Sequence, residues 1–163
     1  MKSIVVYSTQ SDNTKKLAYA LYDALPGDKE ICYVDDAPDP GDYDLVAVGF
    51  WLMSGKPDPK SAAYLERIAA GQKTVLFATH GAAKGSDHAR QAMQAAREIA
   101  SAANVIGTYS CQGQVNPKVL AKAKAKPQRP VWLDDAAAAV GHPDAGDLAE
   151  LKAAVAALPL SGN

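Results

Sequence analysis

The chain is short of cysteine, histidine and aromatic residues, and each shortage removes a class of function. Its two cysteines, Cys32 and Cys111, make no disulfide framework and have no zinc-ligand spacing. They suit a reduced protein, expected in the cytoplasm. His80, His88 and His142 stand one per region, so the sequence offers no metal-ligand cluster. Neither sign of charge is in excess: the formal net charge is -1, which argues against a nucleic-acid binder. No apolar run approaches membrane length, and no leader-like segment precedes the first strand pattern, so no membrane association is expected. The phosphate signatures Gly-x-Gly-x-x-Gly and Gly-Lys-Ser/Thr are missing as well. No repeat or linker divides residues 1–163, and a single domain of 17.1 kDa is expected.

What is present is an alternation. Strand-like runs occupy 3–7, 30–34, 45–49, 74–78 and 105–110. Helical patterns occupy 14–25, 59–70, 87–103 and 145–158. The first, third and fourth strands are almost wholly apolar, as central parallel strands covered on both faces must be. Five strands alternating with helices predict a three-layer α/β fold with an open parallel sheet. The common order at this length is 2-1-3-4-5, which collects ligands at the carboxyl ends of strands 1, 3 and 4.

Those three ends carry the candidate site. Strand 1 runs into Ser8, Thr9, Gln10, Ser11, Asp12, Asn13 and Thr14, which gather hydroxyl and amide groups at a helix start. Unpaired N–H groups there, with the positive end of the helix dipole, suit an anion. The same residue types also serve as plain helix caps. Strand 3 runs into Gly49, Phe50, Trp51, Leu52, Met53, Ser54 and Gly55. A flat ring system would cover these aromatics, unless Phe50 and Trp51 fold back onto the protein's own helices. Strand 4 runs into Thr79, His80, Gly81 and Ala82, small enough for backbone N–H groups to approach a ring edge.

With those residues in view, the turn from Tyr7 to Ala18 resembles the FMN-phosphate loop of flavodoxins. The resemblance continues through Val48-Gly49-Phe50-Trp51 and Leu76-Phe77-Ala78-Thr79-His80-Gly81, and covers most of the chain. It implies a flavodoxin-like fold and FMN as cofactor. Thr9, Gln10, Ser11, Asn13 and Thr14 would then hold the phosphate, with Asp12 lending its backbone N–H. Residues Phe50 to Gly55 would cover one ring face. Gly55 matches the family's glycine carbonyl that accepts the N5 proton, with Met53 or Trp51 beside it in the stacking position. Thr79, His80, Gly81 and Ala82 would line the pyrimidine edge.

The chain departs from the family in three ways. Asp12 stands where a glycine is usual, and a carboxylate about 6 Å from a phosphate would cost about 3 kcal/mol at an effective dielectric of 20. Its side chain is therefore expected to face solvent. Strand 4 brings no second stacking aromatic, which leaves one ring face open to a partner or substrate. The charge is also not strongly acidic, unlike ordinary flavodoxins.

Outside these loops, His80 reads either as a charged group near the ring edge or as a surface residue in a polar turn. His88 is expected to be solvated, and His142 to support the turn before the last helix, with Asp144 as its cap. Residues 110–117 are either a connecting loop or a source of ring-edge bonds from Gln112 and Gln114. Cys111 has no nearby base and reads as inert. Lys118, Lys122 and Lys126 share a helical face, either simply solvated or a dock for an acidic redox partner. Trp132 reads as an anchor for this excursion, and Ala136 to Ala139 as helix-favouring.

The leading function is an FMN electron carrier between a reductase and an acceptor enzyme, acting as a monomer or weak homodimer. The flavin carries the chemistry, so no catalytic side chain is assigned. An FMN-dependent NAD(P)H oxidoreductase and a cofactor-free partner-binding domain are the alternatives. A phosphoacceptor receiver is excluded, because strand 3 ends in Gly49 and Phe50 where an Asp is needed. A phosphatase with a cysteine nucleophile in a phosphate loop is excluded because neither cysteine follows strand 1.

Overall fold

Ile4, Val5 and Val6 are stiff, apolar and wholly buried, which places β1 (Lys2–Tyr7) inside the sheet with both faces covered. The computed structural model describes residues 1–160. Around β1 it arranges α1 (Asn13–Ala24), β2 (Asp28–Tyr33), β3 (Leu45–Met53), β4 (Lys56–Pro57) and α2 (Pro59–Leu65). There follow β5 (Lys73–His80), α3 (Asp87–Ile99), β6 (Asn104–Gln112), α4 (Pro117–Ala125) and α5 (Ala145–Ala156).

The sheet runs β2-β1-β3-β5-β6, every neighbour parallel, with β4 paired antiparallel to β3 alone. Setting the two-residue β4 aside, this is the expected 2-1-3-4-5 order. Alternation along the strands splits the core into two layers. Val5, Tyr7, Leu45, Ala47, Val75 and Phe77 meet α1 and α5 on one face. Ile4, Val6, Val46, Val48, Leu76 and Ala78 meet α2 and α3 on the other. β2 is only partly buried, as its mixed composition implies for an edge.

β5 and β6 each run two residues past their expected ends, to His80 and Gln112, and α3 stops four residues early at Ile99; three further differences each have a local reason. β3 does not end at Gly49 but continues to Met53, because Leu52 and Met53 pair with Pro57 and Lys56. Ser54 and Gly55, both at positive φ, make the two-residue turn of that hairpin. The alanine-rich stretch after Trp132 is no α-helix. Leu133, Ala136 and Ala139 are buried three apart, and Ala136 N–H and Ala139 N–H bond three residues back, the spacing of a 3₁₀ helix. α2 stops at Leu65, five residues early, as Arg67 and Ile68 N–H groups also turn to bond three residues back.

Candidate cofactor site

Among the described residues, the α-helix starts are closed by side chains, with one exception. Asp58 accepts from Ser61 N–H at α2, Ser86 from Ala89 at α3, Asn116 from Lys118 at α4 and Asp144 from Asp147 at α5. α1 also has an aspartate at its N-cap, Asp12, yet it receives no side-chain hydrogen bond. Asp12 has φ 64, the left-handed region, and is exposed. Among the described residues, no backbone N–H from 10 to 14 finds an acceptor in the protein. Free donors thus point out of a helix of twelve residues at its positive end.

The turn around these donors is held from behind. Asn13 Nδ2 donates to Ser11 Oγ at 3.3 Å and to the Gln114 carbonyl at 2.9 Å, tying the turn to the segment after β6. Thr14 and Thr79 hydroxyls share a buried 2.9 Å hydrogen bond that joins α1 to the end of β5. Asn13 and Thr14 side chains therefore brace the cradle, while Thr9 Oγ1 is buried without any partner.

These elements open into a cleft of about 570 Å³ at the carboxyl ends of β1, β3 and β5. Thr9, Gln10, Ser11, Asn13 and Thr14 line its first wall, and Trp51, Leu52, Met53, Ser54 and Gly55 its second. Trp51 is steadied by its indole N–H, which donates to Ser8 Oγ at 3.3 Å. Thr79, His80 and Gly81 contribute the third. Three of the expected residues stay out of it. Phe50 is fully buried among Val48, Tyr64 and Leu65, so it folds back onto the protein's own helices. Asp12 turns away to solvent, and Ala82 is buried behind the strand end.

A fourth wall comes from far along the chain, through Gly113, Gln114, Val115, Asn116, Val119 and the segment carrying Trp132. Trp132 lies against Gly81, where a Cβ would sit 3.2 Å from the indole Cε3 and 2.8 Å from Val115 Cγ2. Gly81 is thus needed for close approach, and the wall expected to lack an aromatic has one. Both tryptophans of the chain line one cleft. The sequence carried a signal for this in Gly81, but nothing in it said that residue 132 returns to that spot.

The histidines correct the sequence reading further. His80 is buried, not on the surface, and its Nδ1 is 2.9 Å from the Ala82 carbonyl. Burial pushes its pKa below the ordinary histidine range, against the raising effect of that bond, and nearby His88 and Lys84 lower it more. A charged imidazole at this wall is disfavoured. His88 is not solvated but half-buried, lining the cleft against Gly55. His142 serves the last helix as expected: its Nδ1 is 2.6 Å from Asp147 Oδ2, and that bond, with the Asp147 and Asp144 charges, raises its pKa. These three side chains bring possible ligand atoms within 4.8 Å of one another. Burial pushes the Cys111 thiol up to about 12, which makes it inert.

The model of the Flavodoxin domain family matches residues 4–156. A flavodoxin-like domain-containing protein, BilS of Clostridioides difficile (strain CD3), is 35% identical over 129 residues, covering 76% of this chain and 73% of that one. BilS of Clostridium symbiosum (strain WAL-14163) is 26% identical over 176 residues, covering 91% of each. A flavodoxin of Streptococcus pneumonia TIGR4 superposes with a TM-score of 0.61 at 12% identity, over 96% of this chain and 99% of that one. A flavoprotein of Lactobacillus acidophilus NCFM, solved in complex with FMN, gives 0.55 at 19% identity, over 67% and 92%. No helix among the described residues is long and apolar enough to cross a membrane. Sheet order, uncapped α1 and family match agree: this chain belongs to the flavodoxin family.

Proposed function

We propose that the protein binds FMN in this cleft and carries electrons between a reductase and an acceptor protein. The observation that carries the reading is the start of α1, the one α-helix among those described that opens into a cleft with no cap of its own. A phosphate would supply what the chain withholds. Backbone N–H groups of residues 10–14 would donate to it, joined by the hydroxyls of Ser11 and Thr9, whose Oγ1 has no other partner. Seven such donors, all neutral, need no lysine.

The flat part of the ligand would lie between walls bearing Trp51 and Trp132, whose faces suit an isoalloxazine. The Thr14–Thr79 bond and the Asn13–Gln114 bond hold the phosphate end and the ring end in fixed relation. His80, kept neutral by burial, adds no positive charge at the third wall. When bound, FMN supplies one- and two-electron transfer, and the protein supplies binding, orientation and exclusion of water. No side chain acts as acid or base in this scheme.

Titration of the purified protein with FMN tests the reading. We expect bound FMN to be yellow with its fluorescence quenched, and no NADPH oxidation by the pure complex until a partner is added. Steady NADPH oxidation by the complex alone would indicate a self-sufficient reductase. Protein that leaves FMN fluorescence untouched would be a cofactor-free partner-binding domain.

A further inference from the structure

Helix α4 is nine residues long and buries only Ala123. So short a helix gains little from its own hydrogen bonds, and this one has almost no apolar face against the body. It nevertheless stands at the cleft mouth, through Val119. Val119 is 40% exposed, Val131 70% and Met53 45%, and all three line that mouth. They are half of the six large apolar residues exposed among those described.

Positive charge surrounds them. Residues 113–130 contain Lys118, Lys122, Lys124, Lys126 and Arg129 and no acidic residue, in a chain whose formal net charge is -1. Arg129 is paired with Asp134, but none of the four lysines makes a salt bridge among the described residues, nor does Lys56 beside the hairpin turn. Lys122 is one helical turn from Val119 and Lys118 adjoins it, so both flank the apolar spot. Lys126 lines the cleft itself.

We propose that this face is the docking surface for an acidic redox protein. That partner would present a small apolar contact ringed by carboxylates, next to the edge of its own cofactor. The arrangement of an apolar centre at the electron-transfer edge within a basic rim suits fast, salt-sensitive association more than tight binding. A membrane is the poorer match, because α4 shows only one large apolar residue, Val119, to solvent. A nucleic acid is disfavoured by the overall charge. The proposal rests on the cleft being the FMN site, but the surface belongs to the polypeptide and exists without FMN.

The test is an NMR titration of the protein, with and without FMN, using a bacterial two-cluster ferredoxin as acidic probe. Cytochrome c serves as the basic counter-probe and vesicles containing anionic lipid as the membrane arm. At an ionic strength of about 20 mM, ferredoxin should shift resonances of Met53, Val119, Val131 and α4 in both states, with affinity falling about tenfold or more by about 200 mM. Lys118→Glu, Lys122→Glu and Lys124→Glu combined should abolish these shifts, and the matching glutamine triple should weaken them. The glutamine triple should leave FMN affinity within about twofold and the glutamate triple within about fivefold, the scale of screened surface charges, and both should leave the circular dichroism spectrum unchanged. Shifts elsewhere, no shifts at all, preference for cytochrome c or for vesicles, or an unaffected glutamate triple would each overturn the proposal. Ferredoxin docking by a protein that does not bind FMN would overturn the cofactor reading and leave this one standing.

Discussion

Helices α1 and α5 pack side by side, and each begins at an aspartate, but only one of them uses it. At α5, Asp144 is extended (φ -103) and its carboxylate accepts from Asp147 N–H at 3.0 Å. Asp147 returns the favour to Asp144 N–H at 2.8 Å, closing a capping box, and His142 adds a third bond. At α1, the same residue type is turned to φ 64, and its exposed carboxylate accepts no bond from the helix. One helix end is finished within the chain, the other awaits an anion. Identity of the cap residue therefore says less than its backbone conformation.

The comparison breaks most visibly at α5. Asp147→Ala removes two bonds from a buried carboxylate and should destabilise the apoprotein by about 1–3 kcal/mol in urea or guanidinium unfolding. FMN affinity should stay within about twofold, since nothing in the capping box touches the cleft. At α1 the pattern should reverse. Thr9→Ala with Ser11→Ala should weaken FMN binding about tenfold by fluorescence titration, as lost bonds to a charged group predict. Apoprotein stability should fall by no more than about 0.5 kcal/mol, because Thr9 Oγ1 is buried without a partner and Ser11 Oγ gives up only an exposed 3.3 Å bond from Asn13.

A smaller effect sharpens the contrast. Asp12→Gly puts the natural left-handed residue at φ 64 and removes a carboxylate from beside the proposed phosphate. It should tighten FMN binding a few-fold (about 2–5, the scale of a screened surface charge), and a measured loss would mean that Asp12 contributes to the site.

The smallest effect is in pH, where two histidines act with opposite sign. His142 has its pKa raised by Asp147, so its contribution is complete below about 6.5 and lost as pH rises through its folded value. His80 has its pKa lowered by burial, so its contribution is complete above about 6.5 and lost as pH falls toward its folded value. From these two groups stability should peak near pH 6.5. Asp147→Asn should flatten only the alkaline side, which unfolding at several pH values would read.

How far the sequence could reach follows the same division between local and distant. The alternation of strands and helices, the hydroxyl turn after β1 and the Asp144 cap were all legible, because composition and near-neighbour spacing encode them; the strand order was only the common choice at this length. Phe50 and Trp51 were ambiguous as a pair, since strand alternation decides which one faces the core and β3 runs further than its apolar run suggested. Trp132 was read only as an anchor and His88 as solvated, because each reaches the cleft by a return of the chain that no local pattern records. His80 misled because β5 runs two residues past its apolar run, so a polar residue expected in a turn is the buried end of a strand paired with Gln112.

The central claim is that α1 is left open for a phosphate, and the affinity ratio of FMN to riboflavin tests it most directly. The two ligands share a ring and differ in the phosphate alone. Even two or three of the charge-assisted bonds proposed at α1, net of desolvation, predict that FMN binds at least about 100-fold more tightly than riboflavin. Equal affinities, with both flavins quenched, would place the ring in the cleft and leave the start of α1 without the role given to it here.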